Sequence, residues 1–285
     1  MKIGLCLILL WVLAGCTSST DSVGQAVSLH DNTVNYPHAN NVSFSQVLHL
    51  GYTKTDAELR YGDEPLQFGK LWVPYQPTPP LVIFVHGGCW LNQYDLEYSY
   101  PLASALKQQG YAVWSIEYRR VGDTGGGWPG SLNDIVQAIE FIHTQDSYRF
   151  DWKRVTLLGH SAGGHLALLA ASQLSVPVSL IIGVAPIVDI TQYAAEAGSC
   201  QNSAVEFMNG TPAQQPKNYA QANPVNYPFD REVVLLTGAL DNIVPLTENP
   251  LPAAQFEILQ EAGHFDWVHP GTPAFNLLLQ YLNYE

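Results

Sequence analysis

The stretch LLGHSAGGHLALL, residues 157 to 169, constrains the chain more than any other. An apolar pair runs into glycine, histidine and serine, and then into alanine and leucine. Gly159-His160-Ser161-Ala162-Gly163 is a G-x-S-x-G, a pattern that needs a strand before it and a helix after it. Both are expected here, RVTLLG (154–159) as the strand and residues 162 to 174 as the helix. Such a corner strains the serine backbone and lifts its hydroxyl clear of the sheet. The helix N-terminus beneath it favours developing negative charge. Taken alone, the corner also fits a tightly packed turn with an incidental serine, so the rest of the chain must decide.

Short apolar runs alternate with helical stretches, the pattern of an α/β fold with a mostly parallel central sheet and helices on both faces. LVIFV (81–85), YAVWSIEY (111–118), SLIIGV (179–184) and EVVLLT (232–237) have the continuous hydrophobicity of strands covered on both sides. QFEIL (255–259) is the expected last parallel strand and FGKLWVP (68–74) an antiparallel edge. SYPLASALKQQG ends as a helix does, on Gly110. SLNDIVQAIEFIHTQ places Leu132, Ile135, Val136, Ile139 and Ile142 at helical spacing. No internal repeat or second domain boundary is visible. Ligands of such sheets gather beyond the carboxyl ends of the strands, where the chemistry should lie.

Three further segments fall at those ends. FVHGGCW, with His86 to Trp90, follows the first parallel strand. Its paired glycines suit backbone N–H groups aimed at a tetrahedral oxyanion, with Gly88, Cys89 and Ala162 as the candidate donors. LLTGALDNIVP places Asp241 just after a strand, and LQEAGHFDWVHP places His264 after the last one. A serine hydroxyl needs a base to take its proton, and the imidazole needs a carboxylate to fix its tautomer. The catalytic candidates are therefore Ser161, Asp241 and His264. Asp189 is a rival for the acid. His160 is the variable residue of the corner, His165 lies on the following helix, His269 reads as a surface or rim group, and His86 as a buttress of its loop. Cys89 has no nearby activating partner and is not read as a nucleophile. No cluster has metal-ligand spacing, and no cofactor is expected.

The first residues, MKIGLCLILLWVLAGC, combine a lysine with an apolar run too short to cross a bilayer as a helix. Leu13-Ala14-Gly15-Cys16 resembles the lipobox of bacterial lipoproteins. That resemblance implies a signal peptide over residues 1–15, cleavage before Cys16 and lipid on its sulfur, with the cell envelope as the location. Thr17, which is not an inner-membrane retention aspartate, favours the outer membrane. Residues 16–50 read as a lipidated N-terminus and tether, and residues 51–285 as the folded domain. An oxidising envelope permits a bridge between Cys89 and Cys200, but the sequence does not give their separation, and we read them as two unpaired thiols. The net charge of −13 makes nucleic acid an improbable partner.

HGGCW, EYRRVGDTGGGWPGSLNDI, GHSAGGHLA, DNIVP and AGHFDWVHPGTPA, in that order, resemble the α/β-hydrolase superfamily. Within it, the chain is most similar to the bacterial esterase and lipase group with H-G-G-x-W, near the hormone-sensitive-lipase-like enzymes and kynurenine formamidases. The resemblance implies a serine carboxylesterase acting on small or medium acyl esters through an acyl-enzyme. A formamidase or arylesterase is the alternative within the group, and a binding lipoprotein on a silent hydrolase fold is the alternative outside it. Only 22 residues separate Asp241 from His264, and LTENPLPAA has two prolines where relatives carry a helix, so a helix is expected to be trimmed there. GDTGGGWPGSL (122–132) fits two readings, a loop over the site with Trp128 walling an acyl or aryl pocket beside Tyr94, or a plain connection. Trp90, after the glycine loop, reads more as a packing anchor than as a pocket wall.

Overall fold

The computed structural model describes residues 33–245, 248–249 and 251–283. The expected signal peptide and Cys16 lie outside the described residues. Among these residues, no helix is long and apolar enough to cross a membrane.

Among the described residues, eight strands form one sheet: β1 (Ala57–Arg60), β2 (Phe68–Trp72), β3 (Pro80–Val85), β4 (Ala112–Ile116), β5 (Asp151–His160), β6 (Leu180–Val184), β7 (Glu232–Gly238) and β8 (Gln255–Leu259). Their order is β1-β2-β4-β3-β5-β6-β7-β8. From β4 to β8 all neighbours are parallel, while β2 runs antiparallel to both β1 and β4. The expected edge strand β2 is thus antiparallel but lies one place in from the edge. β1 covers it, and its Ala-Glu-Leu-Arg sequence has no apolar run to announce a strand. Charged residues on a short edge strand also discourage pairing with other chains.

The helices are α1 (Phe44–Leu48), α2 (Tyr100–Gln108), α3 (Gly130–Ile142), α4 (Ala162–Ala171), α5 (Ile190–Tyr193), α6 (Ser199–Phe207), α7 (Pro216–Gln221) and α8 (Pro273–Leu282). Successive residues of a strand face opposite sides, and the core divides accordingly. Ile83, Leu157, Ile181 and Leu235 pack with Ile135 and Ile139 of α3 and Leu166 of α4 on one side. Val82, Phe84, Leu158 and Val234 pack with Leu102 of α2 and Phe275 and Leu278 of α8 on the other. Each such side chain, fully buried, contributes roughly 1.5–3 kcal/mol. α2 closes where expected: the Tyr111 and Gly110 N–H groups donate back to the Leu106 and Lys107 carbonyls, the paired bonds of a glycine-terminated helix.

The register sets the site. Gly159 at the end of β5 lies beside Val85 of β3 and Gly183 of β6. Gly238 of β7 pairs with Leu259 of β8. The loops that carry His86–Trp90, Ser161, Asp189, Asp241 and His264 therefore leave one edge of the sheet together.

The reading of residues 16–50 as a tether needs correction at its C-terminal end. Val42 and Val47 are buried in the core, and α1 is opened by a capping box between Ser43 and Gln46. Asp266 then accepts from the Asn41 and Val42 N–H groups at 2.7 and 3.1 Å. A polar segment without periodicity concealed these contacts, which are made with residues more than two hundred positions away.

Candidate active site

Ser161 joins β5 to α4 at φ 57° and ψ −124°. Non-glycine residues hold such angles only where their surroundings over-determine them. Here its N–H donates to the Val184 carbonyl at 3.0 Å, and its own carbonyl accepts from His165 at 3.2 Å. The flanking glycines let helix and strand approach. A Cβ on Gly163 would lie 2.2 Å from the Val85 carbonyl oxygen, and one on Gly159 would lie 2.4 Å from that of Gly163. Ala162 is the first residue of α4, so its N–H has no acceptor within the helix.

The His86–Trp90 loop curls in the left-handed region at Gly88 (φ 107°), Cys89 (50°) and Trp90 (58°). A Cβ on Gly88 would meet Tyr94 at 2.4 Å, so only glycine fits there. Behind the loop, His86 contacts the Gly87 carbonyl at 2.8 Å and the Glu117 carboxylate at 3.2 Å, the buttress expected of it. Glu117 also pairs with Arg120 at 3.0 Å and accepts from Leu96 and Tyr118 N–H groups. Burial alone would raise its carboxyl, but His86 and Arg120 outweigh burial and hold it below its ordinary value. This buried charge network fixes the loop from beneath.

Cys89 and Cys200 form a disulfide, with Cα atoms 5.2 Å apart. This overturns the reading of two unpaired thiols. The bridge spans 111 residues of chain, and nothing local to either cysteine signals it. It ties the glycine loop to the start of α6.

Asp241 follows β7 with its side chain wholly buried. One carboxylate oxygen accepts from the Ile243 and Val244 N–H groups, both at 2.8 Å. The other lies 2.7 Å from His264 Nδ1. The imidazole therefore presents Nε2 away from the carboxylate. Asp189 does not compete, because it caps α5 through the Thr191 and Gln192 N–H groups and accepts from Asn223. His269 is buried rather than at the surface or rim, and its Nδ1 accepts from the Gly271 N–H at 3.1 Å.

Ser161, His264, Gly88 and Cys89 line one cavity of about 180 Å³. Phe44, Tyr94, Tyr98, Ile243 and Phe265 make the rest of it largely apolar. Phe44 comes from α1 and contacts the rings of Tyr94, Tyr98 and Phe265 at 5.6, 5.7 and 5.5 Å. Trp128 is absent from this lining, so it does not wall the pocket. It packs edge-on against Phe207 at 6.4 Å and donates its backbone N–H to that residue's carbonyl. Trp90 is fully buried and stacked on Phe207 at 5.1 Å, a packing anchor. Tyr94 lines the cavity as expected. No helix lies between β7 and β8 among the described residues, in keeping with the two prolines.

His165 illustrates what burial costs at low pH. It is fully enclosed, with Nε2 2.7 Å from the Ala222 carbonyl, and burial lowers its pKa to about 4. The unfolded chain takes up a proton near pH ~6.5 that the folded chain refuses. Stability is thus intact above that pH and is expected to fall by roughly 3 kcal/mol on acidification to about 4 through this residue. Urea unfolding across that window checks it, and His165→Gln should flatten the slope.

Sequence reasoning missed Glu117, Tyr98, Asp266 and Phe44, and gave His160 no role. Only a polar residue in an otherwise apolar stretch, as at Glu117 after β4, offered a signal.

A parallel sheet with a strained serine between strand and helix, followed by an aspartate and histidine after later strands, defines an α/β-hydrolase fold. The chain belongs to the BD-FAE family, whose model matches residues 73–253. That span includes Ser161 and Asp241 and ends before His264. The chain is 36% identical over 115 residues to esterase LipC of Mycobacterium tuberculosis, covering 39% of this chain and 28% of that protein. It is 27% identical over 230 residues to a probable isoprenylcysteine alpha-carbonyl methylesterase of Oryza sativa, covering 71% of this chain and 53% of the relative. These matches span about half the length of such relatives or less. Among solved structures, esterase B from Lactobacillus rhamnosis superposes with a TM-score of 0.69 at 21% identity, over 83% of this chain and 88% of that one. At that identity the likeness speaks for the fold.

Proposed function

We propose that the protein is a serine carboxylesterase for esters of small or medium acyl groups, working without a cofactor. The observation that carries the reading is the contact of Asp241 with His264 Nδ1, on a cavity that His264 and Ser161 both line. His264 Nε2 takes the Ser161 hydroxyl proton as Oγ attacks the ester carbonyl. Asp241 stabilises the imidazolium that forms. The N–H groups of Gly88, Cys89 and Ala162 receive the oxyanion, each worth about 3–4 kcal/mol in the transition state. His264 then gives its proton to the departing alcohol, water attacks the acyl-enzyme by the same route, and the acid leaves. The esterase names among the relatives support this chemistry. Purified protein should hydrolyse p-nitrophenyl acetate and butyrate. Turnover of formyl-kynurenine exceeding that of simple esters would transfer the assignment to a formamidase.

Phe44 lines the cavity beside Tyr94, Tyr98 and Phe265, and in this reading it is the wall that limits the length of the acyl chain. Phe44→Ala should move the preferred p-nitrophenyl ester to a longer acyl chain, raising kcat/KM for octanoate relative to acetate by roughly 10-fold, within the range one or two buried methylenes confer. A panel of chain lengths checks this, and an unchanged ratio would remove Phe44 from the specificity wall.

We also propose that the chain is exported and lipid-anchored at Cys16, facing the periplasm, with the outer membrane preferred. The Cys89–Cys200 bridge supports an oxidising compartment. Metabolic labelling with a palmitate analogue should tag the wild-type protein and not Cys16→Ser. An unlabelled wild type would refute the anchor.

A further inference from the structure

His160 occupies the variable position of the serine corner, and its ring is engaged on both sides. Nε2 lies 3.0 Å from the carbonyl oxygen of His264. Nδ1 lies 2.9 Å from the Tyr98 hydroxyl. That hydroxyl in turn receives the Gly87 N–H at 2.5 Å. All of these atoms are buried.

Only one placement of protons satisfies every bond. A carbonyl can only accept, so His160 Nε2 carries a hydrogen. Burial first, and then the neighbouring His264, hold the ring well below the usual imidazole range, so it is neutral and Nδ1 is an acceptor. Tyr98, whose hydroxyl burial pushes far above the usual phenol range, keeps its proton and donates it to Nδ1. The Tyr98 oxygen is then free to accept from Gly87. The result is one directed line: Gly87 N–H to Tyr98, Tyr98 O–H to His160, and His160 Nε2–H to the His264 carbonyl. It joins the glycine loop to the backbone of the histidine, passing directly beside Ser161. The His160 and His264 rings are also in contact, their centroids 4.8 Å apart.

We propose that His160 and Tyr98 are positioning residues that fix the base, His264, and the oxyanion-binding loop relative to one another. This rests on the esterase reading of Ser161, Asp241 and His264. Two groups that must meet one tetrahedral centre come from different strand ends, and a misplacement of about 1 Å can cost a factor of ~100 in rate. A line of bonds without slack removes that freedom. Packing alone does not supply it, because Phe44 and the His86 ring touch Tyr98 through its aromatic body, whereas the hydroxyl alone makes the connection.

The test separates the hydrogen bonds from the packing. Tyr98→Phe deletes one oxygen and keeps the ring. His160→Leu removes both ring nitrogens, while His160→Gln restores a donor for the His264 carbonyl and an acceptor for Tyr98. On p-nitrophenyl butyrate, Tyr98→Phe and His160→Leu should each lower kcat roughly 10- to 100-fold, with KM held within about twofold. Their double variant should be no worse than the poorer single one, because both cut the same line. His160→Gln should recover most of the loss. In the wild-type protein, histidine nitrogen NMR near neutral pH should show His160 as the neutral Nε2–H tautomer. The proposal is overturned by an Nδ1–H tautomer, by a folded Tyr98→Phe with wild-type kcat, or by a Gln variant no better than Leu. A fluorophosphonate that labels the wild type but not Ser161→Ala keeps the esterase reading standing in each of those cases. Equal labelling of the two would instead strike that reading.

Discussion

Replacing Ser161 with alanine is expected to lower kcat on p-nitrophenyl butyrate by at least ~10⁴-fold while the protein stays folded. The strain at φ 57° belongs to the corner rather than to the hydroxyl, so the smaller side chain adopts the same backbone at no added cost. What disappears is the proposed attacking atom. Asp241→Asn should come close, at roughly 10⁴-fold, because an amide facing Nδ1 favours the wrong imidazole tautomer. KM should change little in either variant, since the cavity walls are untouched. Steady-state kinetics beside a thermal melt of each variant decide the point. Ser161→Ala retaining substantial turnover would remove Ser161 from the mechanism.

The second large effect is expected from the disulfide. Cys89 supplies one of the proposed oxyanion donors, and its side chain is bonded to the first turn of α6. Cutting the bridge frees a loop whose three left-handed residues are held by their surroundings. It also removes a cross-link closing more than a hundred residues, typically worth about 2–4 kcal/mol. For a chain of this size that corresponds to a fall in Tm on the order of 10 °C. Activity should fall with it at temperatures where the protein remains folded. The double variant Cys89→Ser/Cys200→Ser should show both losses and be indifferent to reductant, whereas the wild type should lose activity on reduction. A wild-type protein proven reduced by thiol titration, yet unchanged in Tm and turnover, would show that the bridge does not hold the loop.

Ser161, Asp241 and His264 stood out as candidates because each sits in a short segment whose local composition has a chemical reason. The glycines around Ser161 are required by backbone approach, and both Asp241 and His264 follow the apolar run of a strand. The sheet was legible for the same reason, wherever a strand is buried on both faces. β1 was not, because its Ala-Glu-Leu-Arg carries no hydrophobic run, unlike QFEIL at the opposite edge. The disulfide, the Asp266 latch and the wall formed by Phe44 all join residues far apart in sequence, and nothing local to either partner encodes them. His160 and Trp128 mark a different limit. The sequence shows that a ring is present, but its neighbours decide whether it bonds a backbone, fills a core or faces a substrate. The glycines at 122–132 left open whether the loop covers the cavity or merely connects, and its tryptophan turns onto Phe207.

In the proposed reaction the His264–Asp241 pair activates the Ser161 hydroxyl. Its most direct test is to react the folded wild-type protein with a fluorophosphonate and map the adduct by peptide mass spectrometry. A single adduct is expected on the peptide containing Ser161, formed at a rate that collapses in His264→Ala. No adduct, an adduct on another residue, or labelling of Ser161 that is equally fast without His264 would contradict it.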